Sequence, residues 1–256
     1  MNTKKILMTH IYYGDVSPEF SEDLAMRLIS SGSDILEIGI PYSDPVCDGP
    51  VFQKSCRQAL ENGITPMTVL AGIKKIREKT IKPIYLTSYF GPVFKLGVER
   101  FLKMADDTGV NGLIIPDLPL EEQENFSDIF NKYNLSIIQF ATVYSDQGRL
   151  EKIINKSNDF IYGISHSGVT GDRGNEREIQ DLIVKIKNLT DKKIYCGFGI
   201  KTAMDAKKII DLGADGVIVG SAIAEIYQNS KDPQKSLEEI EDLVRNIQKK
   251  VKLIIM

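Results

Sequence analysis

Eight short apolar runs recur along the chain, and each is followed by a stretch with helical periodicity. The runs span residues 6–13, 34–40, 83–90, 112–117, 136–142, 160–165, 193–200 and 216–222. Several are almost continuously apolar rather than alternating, which is typical of parallel strands buried on both faces. Eight such units in a chain of 256 residues favour an α/β fold of the closed (β/α)8 type, a TIM barrel, over an open sheet. No Gly/Ser-rich or Pro-rich linker divides them, so we predict one domain over residues 1–256.

Local signals place the first and last helices. Ser17-Pro18 supplies a capping residue and a proline at the first helical position, and this helix is predicted to end at Gly32. Asp232-Pro233 repeats the arrangement before the last helix. That helix carries one apolar stripe, formed by Leu237, Ile240, Val244, Ile247 and Val251.

A weak internal repeat marks three turns between a helix end and a strand start. The three segments are Gly32-Ser33-Asp34, Gly109-Val110-Asn111 and Gly213-Ala214-Asp215. Glycine supplies the left-handed residue after a helix, and Asp or Asn tightens the turn. In a parallel barrel these turns lie on the N-terminal face, so we assign them to stability rather than to chemistry.

Composition excludes several classes of protein. With 32 basic and 35 acidic residues, the formal charge is −3, so no polybasic field indicates nucleic-acid binding. Three cysteines are too few, and odd in number, for a secreted disulfide framework. The N-terminal segment lacks a small-residue cleavage site, and no apolar run approaches the length of a membrane span. We therefore expect a cytoplasmic protein.

Acidic residues lie within the second predicted strand and in the loop that follows it. Glu37 lies within an otherwise apolar run, where burial raises the pKa of a carboxyl group and makes it a usable general acid or base. The alternative is a structural carboxylate that is satisfied by a buried partner. The following loop holds Asp44 and Asp48 beside Pro45 and Gly49-Pro50. Carboxylates in loops are often solvated residues that form turns. Here the rigid flanking residues make a carboxylate held in a functional position at least as good an interpretation.

Glycines at the ends of three late strands indicate a phosphate site. They lie in SHSGVTG (165–171), GFG (197–199) and GSA (220–222). Glycine lets backbone N–H groups approach an anion, and a helix that begins after Gly220-Ser221 would point its N-terminus at that anion. In TIM barrels, phosphate commonly binds between the loops that follow strands 7 and 8.

Other motifs are absent or ambiguous. Gly197-Phe198-Gly199 lacks the third glycine of a dinucleotide fingerprint, because Thr202 occupies that position. There is no Walker A sequence, and neither His10 nor His166 has a metal-ligand spacing to another histidine or a cysteine. Tyr162 is equally compatible with a pocket wall and with the core.

Taken together, five segments resemble the tryptophan synthase alpha chain family. They are LEIGIPYSDPVCDGPVFQ (36–53), IIPDLP (114–119), SGVTG (167–171), GFGI (197–200) and GSAI (220–223), in this order. The resemblance implies a lyase that cleaves indole-3-glycerol phosphate to indole and glyceraldehyde 3-phosphate in tryptophan biosynthesis. It also implies a beta-chain partner in an alpha2-beta2 tetramer. Pyridoxal phosphate is expected only in that partner, and no cofactor or metal in this chain.

The resemblance assigns roles to individual positions. Glu37 matches the family's general acid/base and Asp48 its second catalytic carboxylate. Asp117 matches an aspartate at the edge of the pocket, and Tyr162 and Thr170 match residues of the substrate pocket and its loop. The phosphate-binding residues implied are Gly171, Phe198, Gly199, Gly220 and Ser221.

Three loops depart from the family pattern. They are GDVS (14–17) after strand 1, SYFGP (88–92) after strand 3 and ATVYSDQG (141–148) after strand 5. The second lies in the region that, in the family, faces the beta chain. A lyase that acts without a partner therefore remains an alternative. Two further alternatives are a mainly regulatory barrel that binds a phosphorylated ligand and a different barrel enzyme that acts on a phosphorylated sugar.

Overall fold

The strands form one parallel sheet in the computed structural model, which describes residues 4–164, 175–197 and 199–252. Its nine strands within these residues are β1 (Ile6–Tyr12), β2 (Ile35–Gly39), β3 (Ile84–Thr87), β4 (Gly112–Ile114), β5 (Ser136–Ile137), β6 (Gln139–Thr142), β7 (Ile161–Ile164), β8 (Ile194–Cys196) and β9 (Gly216–Val219). The order across the sheet is β5-β4-β3-β2-β1-β9-β8-β7-β6. Since β5 and β6 are consecutive pieces of one run, split at Ile138, the two ends of the sheet meet. The predicted α/β TIM barrel is confirmed.

Helices connect and surround the strands. They are α1 (Pro18–Ser30), α2 (Pro50–Glu61), α3 (Pro66–Arg77), α4 (Phe90–Leu96), α5 (Val98–Asp107), α6 (Leu120–Gln123), α7 (Ser127–Phe130), α8 (Gln147–Lys156), α9 (Glu176–Leu189), α10 (Ala203–Asp211), α11 (Ser221–Asn229) and α12 (Pro233–Lys252), with a 3-10 turn at Glu124–Phe126. None of the helices in the described segments is long and apolar enough to span a membrane.

The interior of the barrel holds a cluster of large side chains, which we call the apolar layer. Each position around the barrel contributes one buried residue to this layer: Met8, Ile35, Tyr85, Ile114, Ile138, Phe160, Tyr195 and Ile218. Because inward-facing residues alternate along a strand, the next inward positions lie two residues further toward the C-terminal mouth. Those positions include His10, Glu37, Thr87, Tyr162 and Gly220. The strand period thus brings a polar layer directly above an apolar floor.

Both helix predictions are confirmed. Helix α1 begins at Pro18, and its N-cap Ser17 accepts a hydrogen bond from the Phe20 N–H at 3.1 Å. Helix α12 begins at Pro233, and all five residues of its predicted apolar stripe are buried. This stripe joins the larger core between the sheet and the surrounding helices.

The three repeated turns hold the N-terminal end of the barrel together. Their glycines have φ values of +115°, +77° and +107°, as the left-handed prediction requires. Each Asp or Asn side chain accepts a hydrogen bond from a backbone N–H at or near the start of an adjacent strand. The bonds are Leu7 N–H to Asp34 (3.2 Å), Ile84 N–H to Asn111 (3.0 Å) and Ile194 N–H to Asp215 (3.1 Å). The assignment of these turns to stability is therefore supported by their contacts.

Several predicted strands end earlier than the apolar runs do. The prediction of strand through residue 90 is wrong at its end, because β3 stops at Thr87 and α4 begins at Phe90. The carboxylate of Asp117 accepts the Phe90 N–H at 2.7 Å and so satisfies a donor in the first turn of α4. Strands β4, β8 and β9 likewise stop at Ile114, Cys196 and Val219, where the chain turns into the loops of the barrel mouth.

Candidate active site

Glu37 lies at the floor of the barrel mouth. Strand β2 places its side chain inward, where it is 1% exposed. Its Oε1 accepts a hydrogen bond from the Thr87 hydroxyl at 2.6 Å, and the Nδ1 of His10 lies 3.4 Å from the same oxygen. Its Oε2 is buried and has no hydrogen-bond partner among the described residues. Two neighbours therefore hold one carboxyl oxygen, while the other is buried without a hydrogen-bond partner among the described residues.

Burial controls the protonation of this carboxyl group. Desolvation raises the pKa of Glu37 to about 8; the Thr87 hydrogen bond opposes this rise, and the negative charge of Asp48 adds to it. Burial also lowers the pKa of His10 to about 3, so the imidazole is neutral and supplies no compensating charge. Glu37 in the ligand-free pocket is therefore mostly protonated at neutral pH, which is the state that a general acid needs.

Asp48 is held in place by groups from three elements. It is 6% exposed in the loop between β2 and α2, and its Oδ2 accepts hydrogen bonds from the hydroxyls of Tyr12 (2.6 Å) and Tyr89 (2.9 Å). The backbone carbonyl of Asp48 accepts a further bond from the Gln53 side chain at 2.8 Å. Residue types and spacing alone do not separate Asp44 from Asp48, and only the family resemblance selects Asp48. The structure also separates them, because Asp44 is exposed.

Aromatic side chains line the space around the two carboxyl groups. The ring of Phe52 on α2 packs against His10 (centroids 4.6 Å apart) and edge-on against Tyr12 (5.3 Å). Tyr162 packs against Phe140 at 5.0 Å. Burial and then the charges of Glu37 and Asp48 raise the pKa of Tyr162. A pocket with these walls suits a flat aromatic group.

The part of the mouth at the end of β9 has the properties of an anion site. Helix α11 begins at Ser221, which is 7% exposed, with Gly220 as its N-cap. Helix geometry leaves the first N–H groups of α11 without acceptors inside the helix. A Cβ atom at Gly220 would lie 2.6 Å from Phe52 Cζ, so glycine avoids a clash with this buried ring. Gly199 has φ +57°, a conformation that favours glycine.

The structure brings some predicted site residues together and leaves others apart. Glu37, Asp48 and Tyr162 converge, and Gly220 with Ser221 lies beside them. Asp117 is exposed at the rim, where its carboxylate caps α4. Gly171, Thr170 and Phe198 lie outside the described residues, as does His166.

Sequence reasoning missed several residues that build the site. They are His10, Tyr12, Phe52, Thr87 and Tyr89, all at most 6% exposed. The two-residue period of the strands is a signal that would have found His10 and Thr87, since each lies two positions beyond a residue of the apolar layer. Among the described residues, no cluster of three or more His, Cys, Asp or Glu side chains is arranged to hold a metal ion.

The site has the features of an α/β-barrel enzyme that works by general acid–base catalysis. It combines a buried, protonated carboxyl group with a fixed second carboxylate, and a helix N-terminus lies at the mouth of the barrel. A family model for the tryptophan synthase alpha chain matches residues 1–252. The chain belongs to the tryptophan synthase alpha chain family, whose members are lyases that cleave indole-3-glycerol phosphate.

Individual relatives agree with this assignment. The tryptophan synthase alpha chain of Prochlorococcus marinus is 38% identical over 232 residues, covering 90% of this chain and 83% of the relative. That of Arabidopsis thaliana is 36% identical over 95% of this chain and 89% of its own. A structure of Mycobacterium tuberculosis tryptophan synthase matches with a TM-score of 0.89 at 28% identity, covering 98% and 94% of the two chains. The alpha subunit from Legionella pneumophila matches with a TM-score of 0.87 at 31% identity, covering 96% and 92%.

Proposed function

We propose that this chain cleaves indole-3-glycerol phosphate to indole and glyceraldehyde 3-phosphate, as the alpha subunit of tryptophan synthase. The observation that carries the proposal is the environment of Glu37. Its pKa of about 8 keeps it protonated near neutrality, and its unpartnered Oε2 is the oxygen that can deliver the proton. The family supplies the substrate, and the aromatic walls of the pocket suit its indole ring.

The reaction needs two proton transfers and no cofactor in this chain. Glu37 donates its proton to C3 of the indole ring, and the ring becomes an indolenine whose nitrogen carries positive charge. The resulting carboxylate then takes the proton of the hydroxyl next to the C3 substituent bond. That bond breaks, its electrons return to the ring, and the hydroxyl carbon becomes the aldehyde. Glu37 ends the cycle protonated, as it began.

Asp48 stabilises the charge that develops on the ring. We assign its carboxylate to the indole N–H, where a fixed negative charge lowers the energy of the indolenine. The hydroxyls of Tyr12 and Tyr89 hold the carboxylate in position before substrate arrives. This arrangement is electrostatic preorganisation, since no group has to reorient as the charge appears.

We assign the phosphate of the substrate to the part of the mouth at the ends of β8 and β9. We assign it to the backbone of Gly199 and Gly220 and to Ser221, together with Gly171 and Phe198 by their match to the family. Tyr162 and Thr170 are assigned to the substrate pocket and Asp117 to its edge. The positive end of α11 supports an anion at this place.

The chain works with a beta chain, which carries pyridoxal phosphate and joins indole to serine. We propose an assembly of two alpha and two beta chains in which residues 1–256 act as one barrel domain. We also propose a cytoplasmic location, as expected for a biosynthetic enzyme of this family.

Measuring indole release from indole-3-glycerol phosphate, with and without a cognate beta chain, tests the proposal. The chain is expected to release indole and glyceraldehyde 3-phosphate in equal amounts and to be activated by the beta chain. Release without complex formation or activation would instead indicate a lyase that acts alone. Binding of the substrate with no product at a saturating beta-chain concentration would indicate a regulatory barrel and contradict the proposal.

A further inference from the structure

The hydroxyl group of Thr87 lies against the carboxyl group of Glu37. Strand β3 pairs Tyr85 with Glu37, and Thr87 comes two residues later, toward the barrel mouth. Thr87 therefore lies diagonally across from Glu37 on the inner face of the sheet. It is 5% exposed, and its hydroxyl donates to Glu37 Oε1 at 2.6 Å.

The two oxygens of this carboxyl group have different surroundings. Oε1 accepts the Thr87 hydrogen bond, and Nδ1 of His10 lies 3.4 Å from it. Oε2 is buried and has no hydrogen-bond partner in the part of the chain that the structure describes. A protonated carboxyl group has one O–H oxygen and one carbonyl oxygen, and the carbonyl oxygen is the better acceptor. The Thr87 donor therefore places the proton of Glu37 on Oε2.

Thr87 adds no charge to this site. Among the described residues, the ionisable groups that interact with Glu37 are His10 on β1, Asp48 in the loop before α2 and Tyr162 on β7. His10 is neutral because burial lowers its pKa to about 3, and Tyr162 is neutral because burial raises its pKa. The negative charge near Glu37 is that of Asp48. Replacing Thr87 by a residue without a hydroxyl group thus removes one hydrogen bond and changes no charge.

We propose that Thr87 is a positioning residue for proton transfer, whose hydroxyl holds Glu37 by Oε1 so that Oε2 exchanges the proton with the substrate. This inference rests on the proposed function and assigns separate roles to the two oxygens. The proton that leaves Oε2 for C3 of the indole ring is replaced by the proton of the substrate hydroxyl. Oε1 keeps its hydrogen bond to Thr87 in both steps. Because a donor to a carboxylate stabilises the ionised form, Thr87 also favours the first transfer.

The pH dependence of indole release by Thr87→Val and Thr87→Ser tests this role. Thr87→Val keeps the branched shape but removes the donor. It is expected to lower kcat about tenfold, the effect of one hydrogen bond, and to change KM less than about twofold. The alkaline limb of kcat/KM should move up by about one pH unit, because the carboxylate loses a bond that favours it. Thr87→Ser keeps the hydroxyl and should restore most of the rate and the natural position of the limb.

Thr9→Val is the matched control. It removes a buried threonine hydroxyl from the neighbouring strand β1, where the partner is the Ser33 hydroxyl at 2.9 Å and not Glu37. This variant is expected to melt at a lower temperature but to keep the natural pH profile. Thermal melting also verifies that each Thr87 variant folds. A Thr87→Val protein whose alkaline limb coincides with that of the natural chain would overturn the inference, as would a Thr87→Ser protein as slow as Thr87→Val.

A titration that needs no turnover separates this inference from the proposed function. Difference infrared spectroscopy follows the carboxyl band that Glu37→Gln removes. In Thr87→Val this band should titrate at a higher pH than in the natural chain. An unchanged titration together with normal indole release would overturn the inference and leave the proposed function intact. A shifted titration in a chain that releases no indole would contradict the proposed function, and with it the role of Thr87 in proton transfer to the substrate.

Discussion

At the scale of single residues, the buried carboxyl group of Glu37 makes the fold sensitive to alkaline pH. Its pKa is raised from 4.5 to about 8, so the folded protein holds this proton more tightly than the unfolded chain does. The stabilising contribution is complete below pH 4.5 and is lost as the pH rises to about 8. Glu37→Gln removes this dependence. Relative to the natural chain, the variant should gain about 1.4 kcal/mol of unfolding free energy for each pH unit across that range.

Denaturant unfolding of both proteins at pH 4, 6, 8 and 9 measures this difference. Asp15, whose burial raises its pKa to about 6, also titrates in this range, but it is common to both proteins and cancels. If the difference in unfolding free energy between the two proteins stays constant from pH 4 to pH 9, burial does not raise the pKa of Glu37 and the prediction is contradicted.

The two tyrosines that hold Asp48 give a second prediction at this scale. Tyr12→Phe or Tyr89→Phe removes one of the hydroxyl groups that hold the carboxylate. We expect each to lower kcat/KM by about tenfold, because Asp48 is then less well oriented. Steady-state kinetics on indole-3-glycerol phosphate provides the measurement. Tyr42→Phe is the matched control: its ring stacks on Tyr89 with centroids 5.3 Å apart. An equal loss in all three variants would contradict a specific role for the two hydroxyls.

These contacts could not be read from the sequence. Tyr12 and Tyr89 lie 36 and 41 residues from Asp48, and their convergence depends on the register of β1, β2 and β3. In contrast, Glu37 was predictable, because a carboxylate within an apolar strand is a local signal. The same local reasoning could not separate Asp44 from Asp48, which differ only in what the rest of the fold places around them.

At the scale of elements, helix α11 is the part of the proposed site with the most direct test. Ser221→Asp places a carboxylate at the helix N-terminus, where the substrate phosphate is assigned. The variant should raise KM at least tenfold through charge repulsion. It should change the unfolding temperature little, because a negative charge at a helix N-terminus is favourable. Kinetics and thermal melting are measured together, with the neutral Ser221→Asn as control. An unchanged KM in the Asp variant would place the phosphate elsewhere.

The strand and helix pattern was predictable wherever it is set by local periodicity and capping. Ser17-Pro18 and the α12 stripe are examples, since the signals lie within the helices that they define. The start of α4 was not predictable, because the acceptor of the Phe90 N–H comes from Asp117, 27 residues later. The predicted strands also extend too far at the barrel mouth, for the same reason. Apolar residues continue into the loops there, and tertiary contacts turn those loops out of the sheet.

At the scale of the whole molecule, the exposed apolar residues suggest how the beta chain binds. Phe94 on α4 is 65% exposed and follows strand β3, in the region that the family resemblance places against the beta chain. Phe94→Ser should weaken the complex at least tenfold without lowering the stability of the isolated chain, because a central aromatic residue carries much of the binding energy of an interface. Titration calorimetry with the beta chain measures the affinity.

Ile81 offers the control for this variant. It is 99% exposed in the turn between α3 and β3, on the opposite face of the barrel. Ile81→Ser should leave the affinity for the beta chain unchanged. If the natural chain and the Phe94 variant bind the beta chain with equal affinity, α4 does not contribute to the interface.

The proposed function depends on Glu37, which we infer delivers the proton that starts cleavage of the carbon–carbon bond. The pH dependence of kcat/KM for indole release, measured on the natural chain and on Glu37→Gln, tests it most directly. We expect the natural chain to lose activity tenfold per pH unit above about pH 8, where Glu37 ionises. We also expect the variant to be at least ~10²-fold slower at every pH. A rate that stays constant to pH 10, or a Glu37→Gln protein with full activity, would contradict it.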